Sequence, residues 1–148
     1  MTIKRLREGD ADAACRVIEE LKFVMDDVVG VSVGPGYMRS FLADDRHYFV
    51  AAYHDDEPVG YLFGYLLRRF DGRQPTMFVY EVGVAEQHRR RGIGRALVEE
   101  IKRLAQVDGC RKMFVLTGRG SEAAMALYRS AGGAEGDADP SISFWWNW

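Results

Sequence analysis

The sequence has little of what would mark a metal centre, a disulfide framework or a membrane protein. Its 148 residues include two cysteines, three histidines and four prolines. Cys15 and Cys110 are far apart and form no CxxC or Cys/His group, so the pattern favours buried thiols over a zinc site or a disulfide. No apolar run approaches the ~18 residues that span a bilayer. We therefore expect no bound metal and no membrane association.

An excess of charge of one sign is also lacking. The 20 basic residues face 22 acidic ones, and this balance gives no general attraction to nucleic acid. Residues 1–17 turn acidic and polar where a signal peptide needs an apolar stretch, which predicts a cytoplasmic location. The length and the 47% hydrophobic content predict a single domain over residues 1–148.

The charged residues are unevenly distributed along the chain. Basic residues crowd at 88–95, in the segment HRRRGIGR. Acidic residues recur at Asp26-Asp27, Asp44-Asp45, Asp55-Asp56-Glu57, Asp137 and Asp139. Such acidic pairs commonly serve as turn and cap residues. As a group they also offer carboxylates that would attract a cationic ligand.

Hydrophobic periodicity predicts alternating strands and helices. Strands are expected at 2–6, 47–54, 59–70, 77–85, 112–117 and 141–148. Helices are expected at 11–25 and 36–43, from RRRGIG to Gly109, and from Ser121 to Gly132. The second to fourth strands should form an antiparallel meander. The strand–helix–strand crossover predicts that 112–117 is a central strand parallel to 77–85.

The segment between the fourth strand and the third helix has the pattern R-x-x-G-x-G, from Arg89 to Gly94. A loop that enters a helix presents unpaired backbone N–H groups and the positive end of the helix dipole. Glycines allow a phosphate to approach that backbone, and arginines add charge-assisted hydrogen bonds. The pattern alone is weak and also describes a solvated helix start. Its position between a strand and a helix predicts a pyrophosphate site.

The segment YEVGVAEQHRRRGIGRALVEEI resembles motif A of the GCN5-related N-acetyltransferase (GNAT) superfamily, and ALYRSAGG resembles its motif B. The order of strands and helices is similar over nearly the whole chain. The details EVGVAEQHRRRGIG and MALYRSAGG are most similar to the small aminoglycoside 3-N-acetyltransferases. The resemblance implies an acetyl-CoA-dependent transfer to an amine.

The resemblance also implies an α/β (α+β) fold with a mixed, mostly antiparallel sheet of six to seven strands and about four helices. The strand at 80–84 would carry a bulge and splay from 112–117, leaving a V-shaped opening for the thioester of acetyl-CoA. The backbone of Val82, Gly83 and Val84 would pair with the pantetheine. The pyrophosphate would be held by Arg89, Arg90, Arg91, Gly92, Ile93, Gly94 and Arg95.

Two residues suit proton transfer in direct acyl transfer, in which the amine must lose a proton and the departing thiolate gains one. Glu81 lies on the strand expected to carry the bulge and could accept the proton of the amine; a structural ion pair with an arginine is the alternative. Tyr128 stands where the motif-B tyrosine of the superfamily commonly donates toward the sulfur; core packing is the alternative. The absence of a nearby cysteine disfavours an acyl-enzyme.

An acceptor with several ammonium groups fits the clustered carboxylates, with Asp26, Asp27, Glu81, Asp137 and Asp139 as candidate contacts. The resemblance points to the 3-amino group of an aminoglycoside, and hence to antibiotic resistance. Tyr37, Tyr53 and Trp145 could provide flat walls for sugar rings.

Two alternatives to an aminoglycoside acetyltransferase stay open. The first is acetylation of another small-molecule or protein amine. The second is a non-catalytic acyl-CoA-binding module. The aromatic C-terminus, as an edge strand, predicts a homodimer.

Overall fold

The computed structural model describes residues 1–25 and 32–136. In chain order the elements are strand β1 (Thr2–Leu6), helices α1 (Ala11–Leu21) and α2 (Pro35–Ala43), strands β2 (His47–His54), β3 (Glu57–Leu67) and β4 (Thr76–Val84), helix α3 (Ile93–Val107), strand β5 (Lys112–Val115) and helix α4 (Glu122–Ser130). The predicted elements in these ranges are confirmed, with shifts of a few residues at their ends.

The strands form one mixed sheet in the order β1-β2-β3-β4-β5. Neighbours pair antiparallel except β4 and β5, which are parallel, so the meander and the crossover are confirmed. Over the described residues the sheet has five strands, fewer than the six to seven expected. The strand predicted at 141–148 lies outside the described residues. Among the described strands β5 is the last, and Leu116 just beyond it is 75% exposed.

Local chemistry explains where the hairpin turns and where β3 ends. Asp55 and Asp56 have φ angles of 50° and 65°, the left-handed backbone that a two-residue hairpin turn requires. We expected β3 to continue to residue 70. It ends at Leu67 because Asp71 draws Arg69 and Arg73 into a turn, each with an N–O distance of 2.7 Å.

The core has two layers, one on each face of the sheet. Helix α3 buries Leu97 and Ile101 against Val50, Leu62 and Val79. On the opposite face α1 and α2 cover a second cluster, in which apolar residues three or four positions apart on α1 meet alternate residues of β2 and β3. This face contains Val17, Leu21, Leu42, Phe49 and Tyr61.

The sheet opens at β4 in the expected manner. In the pairing of β3 with β4, Phe63 faces Glu81 while Gly64 faces Val79, so Tyr80 is the extra residue of a β-bulge. Pairing of β4 with β5 stops at Val79. The two parallel strands therefore separate at the bulge, and the predicted splay is confirmed.

Candidate functional site

The bulge leaves one edge of β4 without a strand neighbour from Tyr80 to Val84 in the part of the chain that the structure describes. On its other edge this segment pairs with β3. Alternate backbone N–H and C=O groups of an antiparallel strand point away from its partner. The segment Val82–Val84 therefore presents main-chain groups toward the opening, where they can bind an extended polar chain such as pantetheine.

The turn that follows β4 has a backbone suited to an anion. Arg90 and Gly92 have φ angles of 60° and 80°. Among the described residues, none of the amides from Arg90 to Arg95 donates a backbone hydrogen bond. A Cβ on Gly92 would meet no atom within 4 Å, so its main chain is open to a ligand. Unpaired amides at the start of α3 can cradle a pyrophosphate.

The side chains of this turn divide into those that hold it and those that remain exposed. Arg89 donates from Nε to the Val84 carbonyl at 3.1 Å, which ties the turn to the end of β4. Ile93 is buried in the core, so only its amide can serve a ligand. Arg90, Arg91 and Arg95 are exposed and can add charge.

Gly94 allows the start of α3 to pack closely against α4 and β4. A Cβ on Gly94 would lie 3.3 Å from Cδ2 of Leu127 on α4 and 3.7 Å from Cγ2 of Val84 on β4. The glycine thus brings α3, α4 and β4 together beside the turn. This contact fixes the exposed amides of the turn relative to the opening in the sheet.

Glu81 lies on the face of the sheet that α1 and α2 cover. Its carboxylate accepts a hydrogen bond from the hydroxyl of Tyr61, which also lies 3.1 Å from the Val24 carbonyl oxygen. Tyr61 is fully buried and directly opposite Gly83. A Cβ on Gly83 would lie only 2.4 Å from the Tyr61 ring, so this glycine makes room for the side chain that orients Glu81.

Tyr128 approaches β4 from the other face of the sheet. It packs on the core beneath α3 together with Val82 and Val84. Burial raises the pKa of its phenol, which keeps the proton on the oxygen. Over the described residues its hydroxyl makes no hydrogen bond. Glu81 and Tyr128 therefore present a carboxylate and a neutral hydroxyl from opposite faces of the splayed strand.

An aromatic row extends from Glu81 across the sheet face. Ring centroids are 5.7 Å apart for Tyr65 and Tyr80, 6.0 Å for Tyr80 and Phe78, and 4.8 Å for Phe78 and Phe114. Tyr80 is 59% exposed. The bulge places Tyr80 next to Glu81, so half-exposed rings border the candidate site.

The structure describes only some of the residues that were predicted to contact the acceptor. Asp26, Asp27, Asp137, Asp139 and Trp145 lie outside the described residues. Tyr37 is 68% exposed on α2. Tyr53 packs on the core under α1, and burial raises the pKa of its phenol.

Two other acidic pairs serve as turn residues. Asp55-Asp56 forms the hairpin turn. Asp44 accepts a hydrogen bond from the Arg46 amide at 3.0 Å. In these two pairs the carboxylates therefore act as turn residues, as acidic pairs commonly do.

Tyr61 and Tyr80 were not among the site residues predicted from the sequence. Tyr61 could have been found by aligning β3 antiparallel to β4, since that register brings it opposite Gly83. Tyr80 could not, because strict alternation along β4 would send Tyr80 and Glu81 to opposite faces. Only the bulge turns the Tyr80 ring toward Tyr65 and Phe78.

No helix in 1–25 or 32–136 has the length and apolar character to cross a membrane. The same residues contain no cluster of three or more His, Cys, Asp or Glu side chains arranged to hold a metal ion.

Comparison with known sequences gives the family of the chain. A model of the acetyltransferase (GNAT) family matches residues 16–132. The N-alpha-acetyltransferase RimI of Mycobacterium tuberculosis is 36% identical over 135 residues, which cover 89% of this chain and 77% of that protein. Human N-acetyltransferase 8 is 29% identical over 94 residues, and the match spans 64% of this chain and 41% of that protein's length.

Comparison with solved structures gives the same fold. An aminoglycoside acetyltransferase from an uncultured soil metagenomic sample is 29% identical with a TM-score of 0.79, and the match covers 97% of each chain. A second such enzyme, solved in complex with sisomicin, has a TM-score of 0.85 at 23% identity and covers 99% of this chain and 95% of that one.

The structure and the matches point to the same family, since the chain has both the splayed strands and the glycine turn before α3. The resemblance found in the sequence is confirmed: the chain belongs to the GNAT family of acetyltransferases, which use acetyl-CoA.

Proposed function

We propose that this N-acetyltransferase transfers the acetyl group of acetyl-CoA directly to a primary amine of a polycationic acceptor, the 3-amino group of an aminoglycoside. One observation carries the proposal: the bulge at Tyr80 brings the Glu81 carboxylate to the point where β4 leaves β5. An acceptor amine beside the opened strand would there meet both a base and a thioester. Acetylation of an aminoglycoside would confer antibiotic resistance.

In this proposal the main chain holds acetyl-CoA along β4 and at the start of α3. The Val82–Val84 segment pairs with the pantetheine and polarises the thioester carbonyl. The Arg90–Arg95 amides and the exposed arginines bind the pyrophosphate. Gly92 is the position where this fit is most easily tested, since its backbone is left-handed and a Cβ there would point into open space.

Glu81 takes the proton from the acceptor ammonium, directly or through water, so that the free amine can attack the carbonyl carbon. The hydrogen bond from Tyr61 orients the carboxylate for this step. The new C–N bond forms as the C–S bond breaks. Tyr128 gives its proton to the departing thiolate, and the second proton that the nitrogen loses as the amide forms returns to the phenolate, directly or through water. Burial favours the protonated phenol that this role requires. The products are an amide and CoA.

The choice of an aminoglycoside rests on the resemblance of the motifs and on the fold shared with aminoglycoside acetyltransferases. The aromatic row next to Glu81 supports a cyclic cationic acceptor, because aromatic faces attract ammonium groups. Asp26, Asp27, Asp137 and Asp139 are proposed to add attraction for the remaining ammonium groups.

A protein N-terminus is a second candidate acceptor. It is favoured by the 36% identity to RimI, which is described as an N-alpha-acetyltransferase. A protein N-terminus presents one ammonium group on an extended chain, whereas an aminoglycoside presents several on linked rings. An aminoglycoside therefore needs acidic residues for several ammonium groups, whereas a protein N-terminus needs them for one.

Mass spectrometry distinguishes these functions. Aminoglycosides and peptides with free N-termini are incubated with the protein and acetyl-CoA. The proposal expects a singly acetylated aminoglycoside, with the 3-amino group as the modified position. Acetylation of the peptides alone would transfer the function to protein N-termini. CoA binding without any acetylated product would make the chain a non-catalytic module.

We also propose a homodimer. Over the described residues β5 is an edge strand, and Phe114 on it is 41% exposed. Light scattering coupled to size-exclusion chromatography tests this proposal by measuring the molar mass in solution.

A further inference from the structure

A cavity lies at the end of the sheet away from the glycine turn. Its volume is about 590 Å³, within the ≈ 300–1,000 Å³ typical of small-molecule sites. It is bordered by the end of β1, the start of β2, the end of β3 and the loop before β4. The lining includes six arginines: Arg5, Arg7, Arg46, Arg68, Arg69 and Arg73.

This cavity is separate from the proposed acetyl-CoA site. It is lined by Asp108, which directly follows the last residue of α3, whereas the pyrophosphate turn precedes the first. Helix α3 has 15 residues, and a rise of 1.5 Å per residue places its two ends roughly 22 Å apart. A ligand in the cavity therefore does not occupy the glycine turn.

Acidic neighbours neutralise only part of the positive charge. Asp44 pairs with Arg46, and Asp71 is shared by Arg69 and Arg73. Asp45 also lines the cavity, and Asp108 lies 3.6 Å from Nη1 of Arg5. Among the described residues, four carboxylates thus lie near six guanidinium groups. Arg7 and Arg68 have no ion-pair partner among the described residues and are exposed.

The buried guanidinium of Arg5 forms part of the wall. Its side chain is 8% exposed and lies 3.5 Å from the centroid of the Tyr48 ring. It donates to the carbonyls of Asp45 and His47 at 2.9 and 3.2 Å, while its Nε is buried without a hydrogen-bond partner among the described residues. Burial is the main cause of the lowered pKa of Arg5, while the Asp108 carboxylate, 3.6 Å from its Nη1, acts in the opposite direction. The Arg5 guanidinium therefore carries a positive charge into the wall, and Asp108 offsets part of it.

We propose that this cavity binds a small anion with two or more phosphoryl groups, such as pyrophosphate or a nucleoside polyphosphate. The planar fork of arginine matches phosphate oxygens in bidentate fashion, and the arginines come from several separate chain segments around one space. Walls contributed by β1, β2, β3 and a loop favour a compact ligand over an extended polymer.

Isothermal titration with pyrophosphate tests the proposal. Titrations are run at constant ionic strength in the presence of CoA, and again in a Gly92→Asp variant whose glycine turn is blocked. We expect one pyrophosphate site that persists in both cases. In Arg7→Gln/Arg68→Gln the dissociation constant should rise at least tenfold. The matched control Arg16→Gln/Arg39→Gln, with exposed arginines on α1 and α2, should retain wild-type binding.

Three results would overturn the proposal. The first is no binding, or unchanged binding in Arg7→Gln/Arg68→Gln. The second is loss of binding in Gly92→Asp, which would assign the ion to the glycine turn. The third is tighter binding of an RNA oligonucleotide than of pyrophosphate through the same arginines, which would assign the surface to nucleic acid. Both substituted arginines are exposed, and circular dichroism checks that the variants fold. Arg68→Glu alone provides a second variant with the same expected loss.

Discussion

Single residues carry the proposed proton transfers, and Glu81 is the first to test. Glu81→Gln keeps the size of the side chain and removes its basicity. We expect turnover to fall by about 10²–10⁴-fold, the usual contribution of a general base. The KM for acetyl-CoA should change little. Glu57→Gln, an identical exchange at an exposed position on β3, should be silent in the same thiol-release assay. Normal turnover of Glu81→Gln would remove Glu81 from the mechanism.

Tyr128→Phe tests the proton donor. Removing the hydroxyl should lower turnover by about 10²–10⁴-fold while CoA affinity stays near that of the wild type. The ordinary pKa of tyrosine is about 10, and burial raises that of Tyr128. The phenol therefore stays protonated through about pH 9, and the loss should be equal across that range. Tyr48→Phe, which removes the hydroxyl of another buried tyrosine outside the proposed acetyl-CoA site, is the control. A loss of folding stability with normal turnover would show that Tyr128 packs in the core and does not donate the proton.

At the scale of elements, the pairing of β3 with β4 positions Glu81. Gly83→Ala would place a Cβ 2.4 Å from the buried Tyr61 ring. Displacing that ring should cost about 1–3 kcal/mol of stability, as overpacking usually does. Turnover should fall as well, because Tyr61 orients Glu81. Gly9→Ala, where a Cβ meets no atom within 4 Å, controls for the exchange. Wild-type turnover and melting temperature in Gly83→Ala would contradict this arrangement.

The turn before α3 has its own test. Saturating acetyl-CoA should stabilise the wild type by about 2.7 kcal/mol at a hundredfold excess over its dissociation constant. Gly92→Asp should abolish most of the resulting thermal shift, since its carboxylate repels phosphate. Gly109→Asp is a matched control, because Gly109 has a φ of 81° and equally open surroundings at the other end of α3. An unchanged shift in Gly92→Asp would disprove the pyrophosphate assignment.

Much of the fold could be predicted because its signals are local. The stripe on α3 depends on helical spacing and β2 on a short run rich in aromatic and apolar residues, and Leu97, Ile101 and Val50 are buried as these patterns predict. The extra residue Tyr80 and the contact of Tyr61 with Glu81 depend on register between strands. The cavity lined by six arginines joins residues from positions 5 to 108, and no short sequence motif contains such a grouping.

At the scale of the whole molecule, the proposed function assigns acetyl-CoA and the acceptor to two regions of opposite charge. Arginines and open amides gather at the turn before α3, and the acidic residues proposed to contact the acceptor come from other parts of the chain. A multiply charged amine should therefore bind through long-range attraction. Salt weakens such attraction, as the Debye length contracts from roughly 14 to about 6 Å between 50 and 300 mM.

The most direct test of the account is kcat/KM for three acceptors, an aminoglycoside, a polyamine and a single-amine sugar, at both salt concentrations. Wild type is compared with Asp137→Asn/Asp139→Asn. We expect the aminoglycoside to be the best substrate, with a steep salt dependence, and the single-amine sugar to be poor with a shallow one. The variant should raise the KM for the aminoglycoside and leave that for acetyl-CoA unchanged. Equal salt dependence for all three acceptors, or a variant identical to wild type, would contradict a polycationic acceptor.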